Sequence, residues 1–165
     1  MENVDPSFVR VPTPRTPVPD DQVLVTGDIS DEWTFSTAHL DAHAREPVNV
    51  HYRTTRVREV HCVQGVPLHE VLSKVVLRLD DTGKMDELTF VVAATSQDGF
   101  RVVLSWAEVD PEFGSCSALL ATRYNGRRLT RPTLVTPHDG RSSRYVRDLA
   151  RIEISRVGAR AAAGR

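Results

Sequence analysis

The sequence predicts an α+β fold built from mixed β-sheets with few, short helices. Three observations carry that expectation. Stretches with strict apolar alternation, or with a short continuous apolar run, outnumber those with helical spacing. Turn signals such as Gln97-Asp98-Gly99 and Asn125-Gly126 separate these stretches. The few helical patterns are short, and no internal repeat orders them into a solenoid.

The elements follow in chain order. Residues 1–21 hold Pro6, Pro12, Pro14, Pro17 and Pro19, a density that forbids helix or central strand and predicts an extended arm. The folded domain is expected over 22–156 and a frayed tail over 157–165. Gln22–Thr26 reads as a strand and Glu32–Phe35 as a second extended piece. Ser36 is placed to cap a helix over Thr37–Ala44. Val48–Arg53 alternates, with Val48, Val50 and Tyr52 on one face and Asn49, His51 and Arg53 on the other. Val57–Val63 is a further strand. Pro67 suits the first turn of a helix carrying Leu68, Leu72 and Val75 or Val76. Leu88–Ala94 is a continuous apolar run, expected as a central strand, and Phe100–Leu104 follows its turn. Ser105 and Glu108 have capping-box spacing at the start of a helical turn, Trp106–Val109. Ala118–Arg123 and Leu129–Val135 are paired strands around Asn125-Gly126, and Ala150–Ile154 is the last strand.

Composition bounds the rest. The chain has 165 residues, 40% hydrophobic and 26% charged, which suits one soluble domain with a single core. A net charge of −1 provides no overall basic field and argues against nucleic acid as a partner. The two cysteines, Cys62 and Cys116, form no Cys-x-x-Cys pair, so neither a zinc site nor a disulfide scaffold is expected. Cys62 sits in the apolar run Val60–Val63 and reads as a core residue. No apolar run reaches the roughly 18 residues of a membrane span. The acidic, proline-rich start does not read as a signal peptide, so the expected location is the cytoplasm and the expected partner is a small molecule.

The chemistry concentrates in Thr136–Ile154. A turn, Pro137–Gly140, leads into Arg141-Ser142-Ser143-Arg144-Tyr145. Guanidinium forks, hydroxyls and the amides of a glycine turn are groups that hold an oxyanion. A solvated surface loop is the competing reading. In an extended chain Arg141 and Ser143 would point away from Ser142 and Arg144, whereas a turn lets all four converge on one anion. His138 and Asp139, on the preceding turn, are the candidate acid–base pair. Arg53, on the polar side of its strand, is a further candidate for lining the cleft. His51, His61 and His69 cluster in sequence near the expected cleft wall, each also readable as an ordinary strand or helix residue.

Several of these segments, in order, resemble the molybdopterin-binding domain of the sulfite oxidase superfamily, in its short stand-alone bacterial form. They are Gly65-Val66-Pro67-Leu68, Asp98 to Ser105, Leu119-Leu120-Ala121 before Asn125-Gly126, Arg141 to Val146, and Ile152-Glu153-Ile154. The resemblance spans roughly Val23 to Ile154. It implies a mixed α/β fold with a cleft holding a molybdenum-bearing pterin, contacted by Arg141, Ser142, Arg144 and Tyr145. It also places a metal-ligating cysteine near Thr54, where this chain has none. A threonine hydroxyl is a poor substitute for a soft thiolate.

Three function classes therefore stand. The first is an oxidoreductase or accessory domain binding a molybdopterin-type cofactor. The second is a cofactor-free enzyme on the same scaffold, performing cyclisation, isomerisation or dehydration with His138 and Asp139. The third is a non-catalytic ligand or protein-interaction module.

Overall fold

The computed structural model describes residues 17–114 and 117–158. Most of the proline-rich arm, most of the tail and Cys116 lie outside them. Among the described residues the strands are β1 (Gln22–Gly27), β2 (Trp33–Ser36), β3 (Val48–Arg53), β4 (Arg58–Pro67), β5 (Phe90–Ser96), β6 (Arg101–Ser105), β7 (Leu119–Tyr124), β8 (Arg127–Val135) and β9 (Leu149–Arg156). The helices are short: α1 (Thr37–Asp41), α2 (Leu68–Val71) and α3 (Trp106–Val109). This is the mixed-sheet architecture with few short helices that the periodicities predict.

The strands form two sheets. A five-stranded sheet runs β2-β1-β9-β5-β6 and a four-stranded sheet runs β3-β4-β7-β8. The first is mixed because β1 pairs parallel to β9, Val25 opposite Ile152, while its other pairs are antiparallel. The second is antiparallel throughout. The inner faces of both sheets meet in the main core, where Val25, Phe90, Leu104, Ile152 and Ile154 pack with Leu120 and Leu134. Each such side chain contributes about 1.5–3 kcal/mol by leaving water.

The four-stranded sheet is buried on its other face too. Alternation sends Leu119 and Val135 away from their neighbours Leu120 and Leu134, into a second cluster with Val50, Tyr52, Val63, Ala121 and Tyr145. The segment from Thr136 to Asp148 is what covers this face. Gly65 is required at the β4 bulge, because a Cβ there would stand 1.9 Å from the Leu120 carbonyl oxygen. The β7–β8 hairpin turns on Asn125 (φ 49°) and Gly126 (φ 76°), the left-handed pair that a two-residue turn needs.

Several expectations shift. The first helix stops at Asp41 instead of Ala44, with Ser36 capping it through its hydroxyl and the His39 N–H. Pro67 ends β4 and caps α2 from outside the helix. The chain turns extended at Val75, leaving Val76 62% exposed. Leu88 belongs to a 3-10 turn over Asp86–Thr89, and the strand begins at Phe90. Cys62 is half-buried, so it is not the core residue its apolar neighbours suggested. Val48 is 45% exposed although Val50 and Tyr52 on the same alternation are buried, because β3 is an edge strand whose covering segment reaches only part of its length. No helix among the described residues is long and apolar enough to cross a membrane.

Candidate functional site

The covering segment is fastened at several points. The Thr136 hydroxyl donates to Asp139 Oδ2 at 2.8 Å, and the Asp139 N–H donates to the Thr136 carbonyl at 3.0 Å. The Arg53 N–H donates to the Gly140 carbonyl at 2.9 Å, tying the turn to β3. Ser142–Arg144 forms one 3-10 turn. Val146 and Leu134 then exchange backbone hydrogen bonds at 2.9 and 3.0 Å, which returns the chain to the sheet.

This geometry decides where the arginine cluster points. Arg144 grips Asp139 with two nitrogens, Nε to Oδ2 at 2.8 Å and a terminal nitrogen to Oδ1 at 2.9 Å. Its other terminal nitrogen donates to Glu108 Oε1 at 3.3 Å. Glu108 Oε2 accepts the Ser105 N–H at 2.8 Å and closes the capping box of α3. Arg144 thus bolts the turn to the start of α3. Its hydrogen bonds hold the Asp139 carboxyl below the usual carboxylate range, and Asp139 in turn raises the Arg144 guanidinium. Glu108 is also lowered, first by the Ser105 backbone and side chain and then by Arg144.

Five of the eight sequence candidates fall into two cavities. His138, Asp139 and Arg144 line a hollow of about 360 Å³ with Ser105, Glu108 and Thr136. Ser142 and Tyr145 line a separate cleft of about 590 Å³ with Ser96, Gln97, Asp98, Arg147 and Asp148. Arg53, Arg141 and Ser143 are exposed and line neither. The 3-10 turn therefore fans the cluster out.

The structure adds residues that spacing did not single out. On the outer face of the four-stranded sheet Tyr52 pairs with Glu59 across β3 and β4, and its hydroxyl donates to Glu59 Oε2 at 3.1 Å. His61 Nε2 lies 2.8 Å from the same oxygen, and its ring stacks on Tyr52 with centroids 5.3 Å apart. Asn125 Oδ1 accepts the Cys62 N–H at 2.9 Å, which turns its amide nitrogen to His61 Nδ1, also at 2.9 Å. In neutral His61 the proton then sits on Nε2 and is donated to Glu59. Tyr124 extends the chain, its hydroxyl 3.5 Å from that of Tyr52. Burial first, then Tyr124 and Glu59, raises the Tyr52 phenol far above its ordinary value. The His61 hydrogen bond, then that of Tyr52, lowers Glu59.

Tyr145 stands apart. It is 7% exposed and meets Tyr52 edge to face at 5.5 Å, yet its hydroxyl has no hydrogen-bond partner. It is the single buried side-chain polar atom among the described residues in that condition. Burial pushes this phenol up to about 12. Asp148, at the mouth of the same cleft, holds a left-handed backbone, φ 50°, of the kind that concentrates at binding sites.

The donor set among the described residues does not fit a molybdenum centre. Thr54, where the family resemblance would put a thiolate, uses its hydroxyl within its own turn. It accepts from the Arg56 and Val57 N–H groups at 3.3 and 3.1 Å and donates to the Val57 carbonyl at 3.1 Å. Among the described residues no three His, Cys, Asp or Glu side chains converge as metal ligands. The 590 Å³ cleft offers one cation, Arg147, with two carboxylates, Asp98 and Asp148, beside the Ser142 hydroxyl and the Tyr145 ring.

Fold and cleft together define a class: a two-sheet α+β domain whose covering segment leaves an open, partly polar cleft. The solved structure of the sulfane dehydrogenase SoxCD from Paracoccus pantotrophus has a similar fold, with a TM-score of 0.61 at 15% identity. The likeness covers 82% of this chain and 38% of that one, so the chain spans well under half the length of its neighbour. No family model and no curated protein sequence matches the chain.

Proposed function

We propose that this chain is an oxidoreductase-related ligand-binding domain of the sulfite-oxidase-like type. Its cleft beside Tyr145 takes a small anionic heterocycle of pterin type, without a bond from the protein to molybdenum. The observation that carries the reading is the Tyr145 hydroxyl: buried, unpartnered, and on a residue that lines a cleft of ligand size. A buried hydroxyl without a partner is costly, so a turn of the side chain that opens it to an acceptor atom on a ligand would recover a hydrogen bond. Arg147, at the same cleft, supplies a cation for the ligand's anionic group, and Ser142 a further hydroxyl. The likeness to a sulfane dehydrogenase and the motif resemblance to the sulfite oxidase superfamily support the redox-related lineage.

The test is calorimetric titration with pterin-6-carboxylate, alongside Tyr145→Phe and Arg147→Ala, with elemental analysis of protein from a molybdenum-replete host. The expected result is saturable binding with molybdenum below one per chain. A hydrogen bond to a charged group is worth about 1.5–3 kcal/mol, so Arg147→Ala should weaken binding about tenfold or more. One tightly held molybdenum per chain, or binding indifferent to both substitutions, would overturn the reading.

A second reading, cofactor-free acid–base chemistry, is favoured by one arrangement: the hydrogen-bonded series Tyr124, Tyr52, Glu59, His61 and Asn125 on the sheet face. Such a series holds phenols in fixed positions where they can exchange protons with a bound substrate.

A further inference from the structure

A third cavity, of about 620 Å³, runs beside β8 and is lined by Arg127, Arg128, Arg131 and Arg147, with Tyr124, Asn125 and a single carboxylate, Asp148. Three features set it apart from an ordinary charged surface. β8 is an edge strand, so Arg127 and Arg128, successive residues, leave opposite faces and flank that edge. Neither is neutralised at hydrogen-bond distance. Arg127 is exposed, and Arg128 Nε stands 4.0 Å from Asp41 Oδ2, a carboxylate already held by Arg123 and Thr122.

The third feature is Arg131. Its side chain is 5% exposed and donates to the backbone carbonyls of Gln22, Val18 and Pro19 at 2.9, 3.0 and 2.9 Å. Its carboxylate partner, Asp20, stands 3.8 Å off with its own side chain 99% in solvent. A guanidinium this buried is normally matched by a carboxylate that is buried with it. Here three backbone carbonyls hold it in place, so a positive charge is fixed within the wall of the groove that Arg131 helps to line.

We infer that this groove is a second binding site, for a compact polyanion of the polyphosphate type recognised by Arg127 and Arg128, with the buried Arg131 adding positive charge to the wall. A concave site of this volume suits a small molecule, and planar guanidinium forks on two sides suit adjacent phosphate groups. The inference does not rest on the pterin reading, since its test avoids Arg147 and the Tyr145 cleft.

The experiment is calorimetric titration of the full chain with inorganic tripolyphosphate at physiological salt, with orthophosphate and a poly-glutamate peptide as comparisons. One tripolyphosphate should bind per chain, with orthophosphate at least tenfold weaker. Arg127→Ala and Arg128→Ala should each weaken binding about tenfold, since each removes a charge-assisted contact. Both side chains are exposed, so the variants keep the fold. Arg58→Ala, an exposed arginine on β4 that does not line the groove, should change nothing. Absence of saturable tripolyphosphate binding, equal weakening by Arg58→Ala, or peptide binding without tripolyphosphate binding would each overturn the inference.

Discussion

Arg144 and Asp139 form a two-pronged ion pair, 2.8 Å from Nε to Oδ2 and 2.9 Å from a terminal nitrogen to Oδ1, and Glu108 takes the remaining arm of the same guanidinium at 3.3 Å. The pair joins the covering segment to α3, so the arginine that spacing marks for an external anion has two internal carboxylates. Its expected contribution is to stability. Arg144→Ala should destabilise the protein by about 1–2 kcal/mol, the pair being partly exposed, and lower the melting temperature by roughly 2–8 °C. Lysine should recover only part of this, because a point donor cannot span both oxygens. Arg141→Ala, at an exposed position, should leave the melting curve in place.

The same pair sets a pH dependence. The folded-state pKa of Asp139 is lowered by Arg144. Its contribution is therefore complete above the unfolded carboxylate value near 4 and lost as pH falls through the lowered folded value. Urea midpoints recorded from pH 7 down to pH 2 should show Asp139→Asn well below wild type at neutral pH, with the two curves converging below about pH 4. A constant gap across that range would mean that the carboxylate charge contributes nothing.

Tyr145→Phe should separate stability from binding. Removing a buried hydroxyl that has no partner relieves a cost of about 1–3 kcal/mol, so phenylalanine should melt no lower than wild type. The same substitution should weaken the cleft ligand several-fold. A clear loss of stability would reveal a partner for the hydroxyl inside the protein.

Gly65→Ala should be among the most damaging single changes. The new Cβ would stand 1.9 Å from the Leu120 carbonyl oxygen, at backbone that cannot yield without parting β4 from β7. Gly140→Ala is the fitting control, since nothing lies within 4 Å of a Cβ there. Soluble yield and near-ultraviolet circular dichroism of the two variants would check this. A Gly65→Ala protein with wild-type melting would contradict the close approach.

What the chain determines by itself is local. The Ser105–Glu108 capping box lies within four consecutive residues, and the Asn125-Gly126 turn is set by two left-handed backbones. Alternation along β3 puts Val50 and Tyr52 on one buried face, and the polar turn at Gln97-Asp98-Gly99 separates β5 from β6. These follow from bonding and sterics between near neighbours, so most strands were legible to within a few residues.

The tertiary structure decided what depends on register between distant segments. The parallel pairing of Val25 with Ile152 has no local signal. The meeting of Tyr52, Glu59, His61 and Asn125 requires two strand pairings in the correct register, and a shift of one residue would turn each side chain to the other face. Arg144 finds Glu108, and Arg131 finds the carbonyls of Val18, Pro19 and Gln22, only once the sheets have stacked. Residue type made each arginine a candidate for an anion. The fold decided that Arg144 is bolted to the nearby Asp139 and the distant Glu108 while Arg131 is held by backbone carbonyls, because a charge pairs with whatever opposite group or dipole folding delivers within reach.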